Sequence, residues 1–306
     1  MKALKISLAV IVVAAIAAGV YMWIGGANPL APLNPDENQF IKRIEQEIEQ
    51  LKQKPENRFC QDFYREIAYH IDDYYRSNRF GNNQSENNQW KDIFSKKLYS
   101  AYVEKFITQA FYVFRGAEWK QESLQFIRSE YQELRRSRLL ERGSPVDRKF
   151  TEIQTVFSKY DEITGFISTC NGFSYSSENL ADQFPIVNVK SKISRATTYL
   201  KNRLENEYVN HCTRLHDGLQ KIPQVLFSEH VRYLDSKINQ WSDLYPNYNS
   251  HSDYVNNLYK LLSKEIRVLD NDIYNVPNFD HEYQRLSNKW SADNQKAYNH
   301  NYSISY

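Results

Sequence analysis

Residues Ser144 to Cys170, SPVDRKFTEIQTVFSKYDEITGFISTC, decide how this chain is read. Ser144 suits a helix N-cap, because its hydroxyl can accept from a backbone N–H of the first turn. Pro145 follows where a missing N–H costs nothing and a fixed φ helps, and Asp147 sets a negative charge against the positive end of the helix dipole. Behind this start, Val146, Phe150, Ile153, Phe157, Tyr160, Ile163, Ile167 and Cys170 recur in steps of three and four. That is the period of a helix with one buried face, and it turns Cys170 inward.

The same period extends in both directions. Upstream, Ile41, Ile44, Ile48 and Leu51 form a short heptad-like stripe closed by Pro55, and Phe59, Phe63, Ile67, Ile71 and Tyr74 form a second, closed by Gly81 and the turn Asn82 to Gln89. A third helix is predicted from Trp90 to Arg115. Phe94, Leu98, Tyr102 and Phe106 lie on one side of it and Tyr99, Val103, Ile107 and Phe114 beside them, so it should be central. A fourth carries Trp119, Phe126, Ile127, Tyr131 and Leu134, turns basic at Arg135, Arg136, Arg138 and Arg142, and stops at Gly143.

Downstream, Asn171 to Pro185 reads as a long loop. Val189, Ile193, Ala196, Leu200, Leu204, Tyr208, His211 and Leu215 predict one long helix ending near Gly218, before Ile222-Pro223. Phe227, Val231, Leu234, Ile238, Trp241 and Tyr245 follow up to Pro246, then Val255, Leu258, Leu262, Ile266, Leu269 and Ile273 up to Pro277, and last Phe279, Tyr283, Leu286 and Trp290. Residues 36–170 and 187–297 are expected as two helical subdomains around a loop at 171–186, with 298–306 a frayed tail. With only nine Gly and nine Pro against 23 Tyr and 16 Phe, a turn-rich β fold is disfavoured. The expected architecture is an all-α, antiparallel multi-helix bundle. An α-solenoid of stacked helical hairpins is the alternative, but no repeat of about 34 residues is visible.

Ahead of the body, Ile6 to Ile24 is uncharged and long enough, at about 1.5 Å per residue, to span about 28 Å of bilayer. Lys2 and Lys5 precede it and the next charges are Asp36 and Glu37, so residues 1–5 should stay cytosolic and the body lie outside. Residues 6–24 are expected to be a single-pass transmembrane signal anchor, with Tyr21 and Trp23 at the outer headgroups and residues 25–35 a Pro/Gly linker. The alternative is secretion after signal cleavage at Ala15-Ile16-Ala17 or Gly25-Gly26-Ala27.

Chemistry is sparse. An exported chain with Cys60, Cys170 and Cys212 permits one disulfide. If helices alternate direction from the membrane, Cys60 and Cys170 share the distal end, while Cys212 lies about 34 Å along its helix, so Cys60 with Cys170 is the candidate pair. Three buried free thiols are the alternative. Cys212 and His216, with His211 adjacent, share a helical face but lack a second ligand pair, and Glu66, His70 and Asp73 imitate only part of a carboxylate and histidine site. The basic stretch Arg135 to Lys149 is accounted for by helix dipoles and solvation. No metalloprotease, phosphate-loop, dinucleotide or nucleophile-elbow motif occurs, so no enzyme activity and no cofactor is expected. A formal net charge of +2 gives no footprint for nucleic acid. Asn83 and Asn301 begin Asn-x-Ser triplets of the kind glycosylated in a eukaryotic lumen.

An anchor, a helical body and no recognisable chemistry lead to the expectation of a membrane-anchored, extracytoplasmic scaffold or adaptor that binds other envelope or lumenal proteins. Homodimerisation through Ile41, Ile44, Ile48 and Leu51 is one form it could take. The alternative is a module whose many aromatic rings bind a sugar or lipid, recognisable by exposed rings converging in one groove.

Overall fold

Apolar residues at helical spacing become helices over most of the described residues. The computed structural model describes residues 35–77, 84–137, 142–173, 185–245 and 253–304, and every regular element among them is helical. In chain order these are α1 (Pro35–Gln53), α2 (Gln61–Ser77), α3 (Gln84–Phe114), α4 (Gln121–Arg136), α5 (Pro145–Asn171), α6 (Pro185–Lys201), α7 (Thr213–Leu244), α8 (Asp253–Val268), α9 (Asn271–Tyr274) and α10 (Phe279–Ile304). The chain is an all-α bundle. No helix of the described residues is long and apolar enough to cross a membrane, and the segment 6–24 lies outside the described residues, as does Asn83.

Two compact units divide the chain elsewhere than at the 171–186 loop. One holds residues up to Gln109 with Leu134–Asp147; the other holds Ala110–Glu133 with Arg148 onward. In the first, Phe40 stacks on Tyr74 with ring centroids 3.7 Å apart while Glu47 meets His70, so α1 and α2 run antiparallel. Ile44, Ile48, Leu51, Ile67 and Ile71 are buried there. Most of the proposed dimer stripe is therefore already covered within one chain, and Ile41 is half-buried. Buried Gln109 on α3 fastens the α1–α2 turn: its amide donates to the carbonyls of Pro55 (3.2 Å) and Arg58, and its oxygen accepts from Cys60 Sγ (3.6 Å).

The cap at Ser144 forms as its residues predict. Asp147 N–H donates to Ser144 Oγ at 3.1 Å, and the Asp147 carboxylate accepts from Gly143 N–H at 2.7 Å. Gly143, at φ +81°, thus belongs to the start of α5 and not to the end of α4, which stops at Arg136 with Ser137 Oγ donating back to Leu134 O. Trp119 precedes α4 but is buried, its indole donating to Phe114 O at 3.2 Å.

The largest departure falls between Lys201 and Thr213. The predicted single helix breaks there, because Arg203, Leu204 and Glu205 take positive φ of 48°, 63° and 57°. Leu204 is fully buried, and Asn206 Oδ1 accepts from the N–H groups of Tyr208 and Val209, offering the backbone an alternative to helix. Lys159 on α5 meets Glu205 at 2.7 Å. Then α7 runs through both Gly218 and Pro223, the expected stops. A Cβ at Gly218 would lie 2.7 Å from Ile167 Cδ1, so this glycine marks where α7 crosses α5. Around Pro223, Leu219, Ile222, Leu226 and Phe227 are all fully buried, and packing outweighs the lost backbone bond. At the other end, α10 continues to Ile304 where a frayed tail was expected.

A methyl group added at Gly165, on an open face of α5, would meet nothing within 4 Å, so Gly165→Ala and Gly218→Ala share the helix-propensity gain but not the clash. Chemical denaturation should find Gly218→Ala less stable than Gly165→Ala by about 1–3 kcal/mol, the cost of overpacking; equal stabilities would contradict the close crossing.

Candidate functional site

The residues singled out by sequence do not gather. All three thiols are buried and free, Cys60 in the first unit and Cys170 and Cys212 in the second. Cys60 is engaged by Gln109, and burial pushes each thiol's pKa up, away from the reactive thiolate. Cys212 sits at the N-cap of α7, where the chain is extended, and His216 Nε2 pairs with Asn210 O at 2.9 Å. His70 Nδ1 faces Glu47 at 3.2 Å on the neighbouring helix, while Glu66 and Asp73 point to solvent. Among the described residues no three His, Cys, Asp or Glu side chains are placed to hold a metal. Arg135 and Arg136 are exposed in the last turn of α4, in keeping with the dipole account, whereas Arg142, Arg148 and Lys149 are exposed before or within the first turns of α5, where solvation alone accounts for them.

Two features of the second unit were not visible in the sequence. The first is a polar network across α7, α8 and α9. His230 and Glu265 are fully buried and Tyr274 nearly so. His230 Nδ1 lies 2.6 Å from Tyr274 Oη and Nε2 lies 3.0 Å from Glu265 Oε2. A proton on Nε2, donated to the carboxylate, leaves Nδ1 to accept from the tyrosine hydroxyl, so both ring nitrogens are used. Phe227 closes over Tyr274, with ring centroids 5.1 Å apart. Buried from solvent, the network joins three helices and fixes their register.

The second feature is open. At the C-terminal end of α7 a groove of about 630 Å³ lies between α7, α8 and α10, lined by Trp241, Tyr245, Val255, Asn256, Tyr259, Ser291, Asn294, Gln295, Ala297 and Tyr298. Trp241 and Tyr245 stack at 5.3 Å, and Trp290 meets Trp241 edge-on at 5.0 Å and Tyr259 at 5.5 Å. Tyr259 is 44% and Tyr298 58% exposed, whereas Trp241 is 4% exposed. Buried rings thus form the floor and exposed rings the rim.

Ion pairs hold the walls. Asp235 on α7 meets Arg285 at 2.9 Å and Lys289 at 2.5 Å on α10. Burial alone would raise its pKa, but the two cations outweigh that and hold the carboxyl below its ordinary range. Tyr245 Oη reaches across to the carbonyls of Lys296 (3.0 Å) and Ala297 (2.8 Å). Since residues 235, 241 and 245 meet 285, 290 and 296 in rising order, α7 and α10 run parallel, with antiparallel α8 beside them.

Neither a family model, nor a curated protein sequence, nor a solved structure matches this chain.

A carboxyl whose pKa is depressed by folding stabilises the fold above its unfolded value of about 3.9, and that contribution disappears as pH falls through the lower folded value. Asp235→Asn should therefore cost up to about 1 kcal/mol near neutrality, and the gap to the unaltered protein should close below about pH 4. Urea denaturation at several pH values measures it; a gap that persists in acid would show that the ion pairs are not its source.

Proposed function

We propose that this chain is a non-enzymatic binding protein held on the outer side of a membrane, taking its ligand in the groove between α7, α8 and α10. Residues 6–24 serve as the anchor, residues 25–34 as a spacer, and the helical body stands outside, the arrangement favoured by Lys2 and Lys5 on the inner flank. What carries the reading is the convergence of rings with different exposure on one concave surface, Trp241 at its floor and Tyr259 and Tyr298 at its rim. The groove lining includes no Cys, His, Asp or Glu, so the hydroxyls of Ser291 and the tyrosines have no imidazole or carboxylate base beside them in the lining. Other exposed rings, such as Tyr69 on α2 and Tyr112 on α3, are spread over separate helices, and single exposed rings are ordinary surface features.

A scaffold or adaptor role, with a protein partner, draws its support from the anchor and from the helical body but from no comparable surface. One experiment separates the two. A photo-cross-linking phenylalanine analogue is placed at Tyr259 or, as control, at Tyr69 in the full-length chain in its native membranes. The ligand-binding reading expects a small-molecule adduct at position 259 alone. A protein adduct at 259 would favour the adaptor, and no adduct at 259 would remove the groove from the account.

A further inference from the structure

Resting on the groove as the binding site, we infer that its ligand is a neutral saccharide. The first argument is charge. None of the ten lining residues is Asp, Glu, Lys, Arg or His. The nearest charges on α10, Lys296 and Asp293, pair with each other at 3.2 Å. A phosphate, a lipid headgroup or an acidic peptide entering here would shed its hydration without meeting a counter-charge, which is costly.

Polar lining supplies the second argument. Ser291, Asn294, Gln295 and Tyr298 stand at i, i+3, i+4 and i+7 on α10 and so form one stripe, about 10 Å along the axis. Asn256 and Tyr259 stand across from it on α8. Amides and hydroxyls both donate and accept, which matches a ligand bearing many hydroxyl groups. Aliphatic lining is limited to Val255 and Ala297, too little to seat the apolar side chains of a peptide.

Third are the rings. A pyranose has a flat face of C–H bonds, weakly positive, and the face of an aromatic ring is weakly negative. Tyr259 and Tyr298 are exposed rings at the rim. Beneath them lies Trp241, buried, its indole packed against Tyr245 and Trp290. The volume, about 630 Å³, falls within the range of small-ligand sites, roughly 300–1,000 Å³.

The test uses the full-length chain in lipid nanodiscs, free of sugar-headgroup detergents, titrated calorimetrically with maltohexaose, cellohexaose and N-acetylchitohexaose. Saturable binding of at least one is expected, weakened tenfold or more by Tyr259→Ala and by Tyr298→Ala and unchanged by Tyr69→Ala. Both groove substitutions fall on exposed rings, so circular dichroism should report an intact fold. Binding that survives both groove substitutions, or no binding of any of the three, would overturn the saccharide assignment. If a proline-rich peptide binds instead and is lost in Tyr259→Ala, the ligand class falls while the groove stands. If neither probe binds and position 259 yields no adduct in membranes, the groove reading falls with it.

Discussion

Burial of α7 on several sides at once is the constraint from which the second unit follows. Leu215, Leu219, Ile222, Leu226, Phe227, Leu234, Ile238 and Trp241 are all buried along a helix of 32 residues. To cover them, α6, α8, α9 and α10 must all pack against it. At roughly 1.5–3 kcal/mol for each large apolar side chain removed from water, this burial outweighs local penalties. It explains why Pro223 sits inside a helix, and why Gly218 is needed where Ile167 comes close. It also locates the groove. Leu244, at the last turn of α7, is 36% exposed, so the helix ends where its cover opens.

Directional contacts then fix what burial leaves free. Apolar packing tolerates small slips along a helix, whereas a buried hydrogen bond does not. His230 ties α7 to α8 and α9 at one height, and Asp235 ties it to Arg285 and Lys289 of α10 less than two turns further on. Tyr245 bonds the α10 carbonyls at the groove itself. Rim and floor are therefore held at a defined spacing, as a rigid recognition site requires.

Helical stripes and the Ser144 cap were legible because they depend on neighbours in sequence. Phe150, Ile153, Phe157, Ile163 and Cys170 are buried as their spacing says, and so are both faces of α3. Punctuation was less reliable. Gly143, Gly218 and Pro223 read as helix stops, yet one belongs to a cap, one to a crossing and one to a packed helix interior. The break at Arg203–Glu205 was hidden for the converse reason: Leu204 and Tyr208 keep the helical period while the chain leaves the helix. The groove could not be read at all, since Trp241, Tyr245 and Val255 continue the same stripes as core residues. Which ring lies at the floor and which at the rim depends on where neighbouring helices end, and that is a tertiary property.

The most direct measurement of the central claim is fluorine NMR of the full-length chain carrying 5-fluorotryptophan, in nanodiscs, with and without a neutral oligosaccharide. Five indoles report at once, and their signals can be assigned by single Trp→Phe substitutions. Binding in the groove predicts that Trp241 and Trp290 move together while Trp90 and Trp119 stay in place. Shifts at Trp90 or Trp119 instead, or a spectrum that does not change, would contradict it.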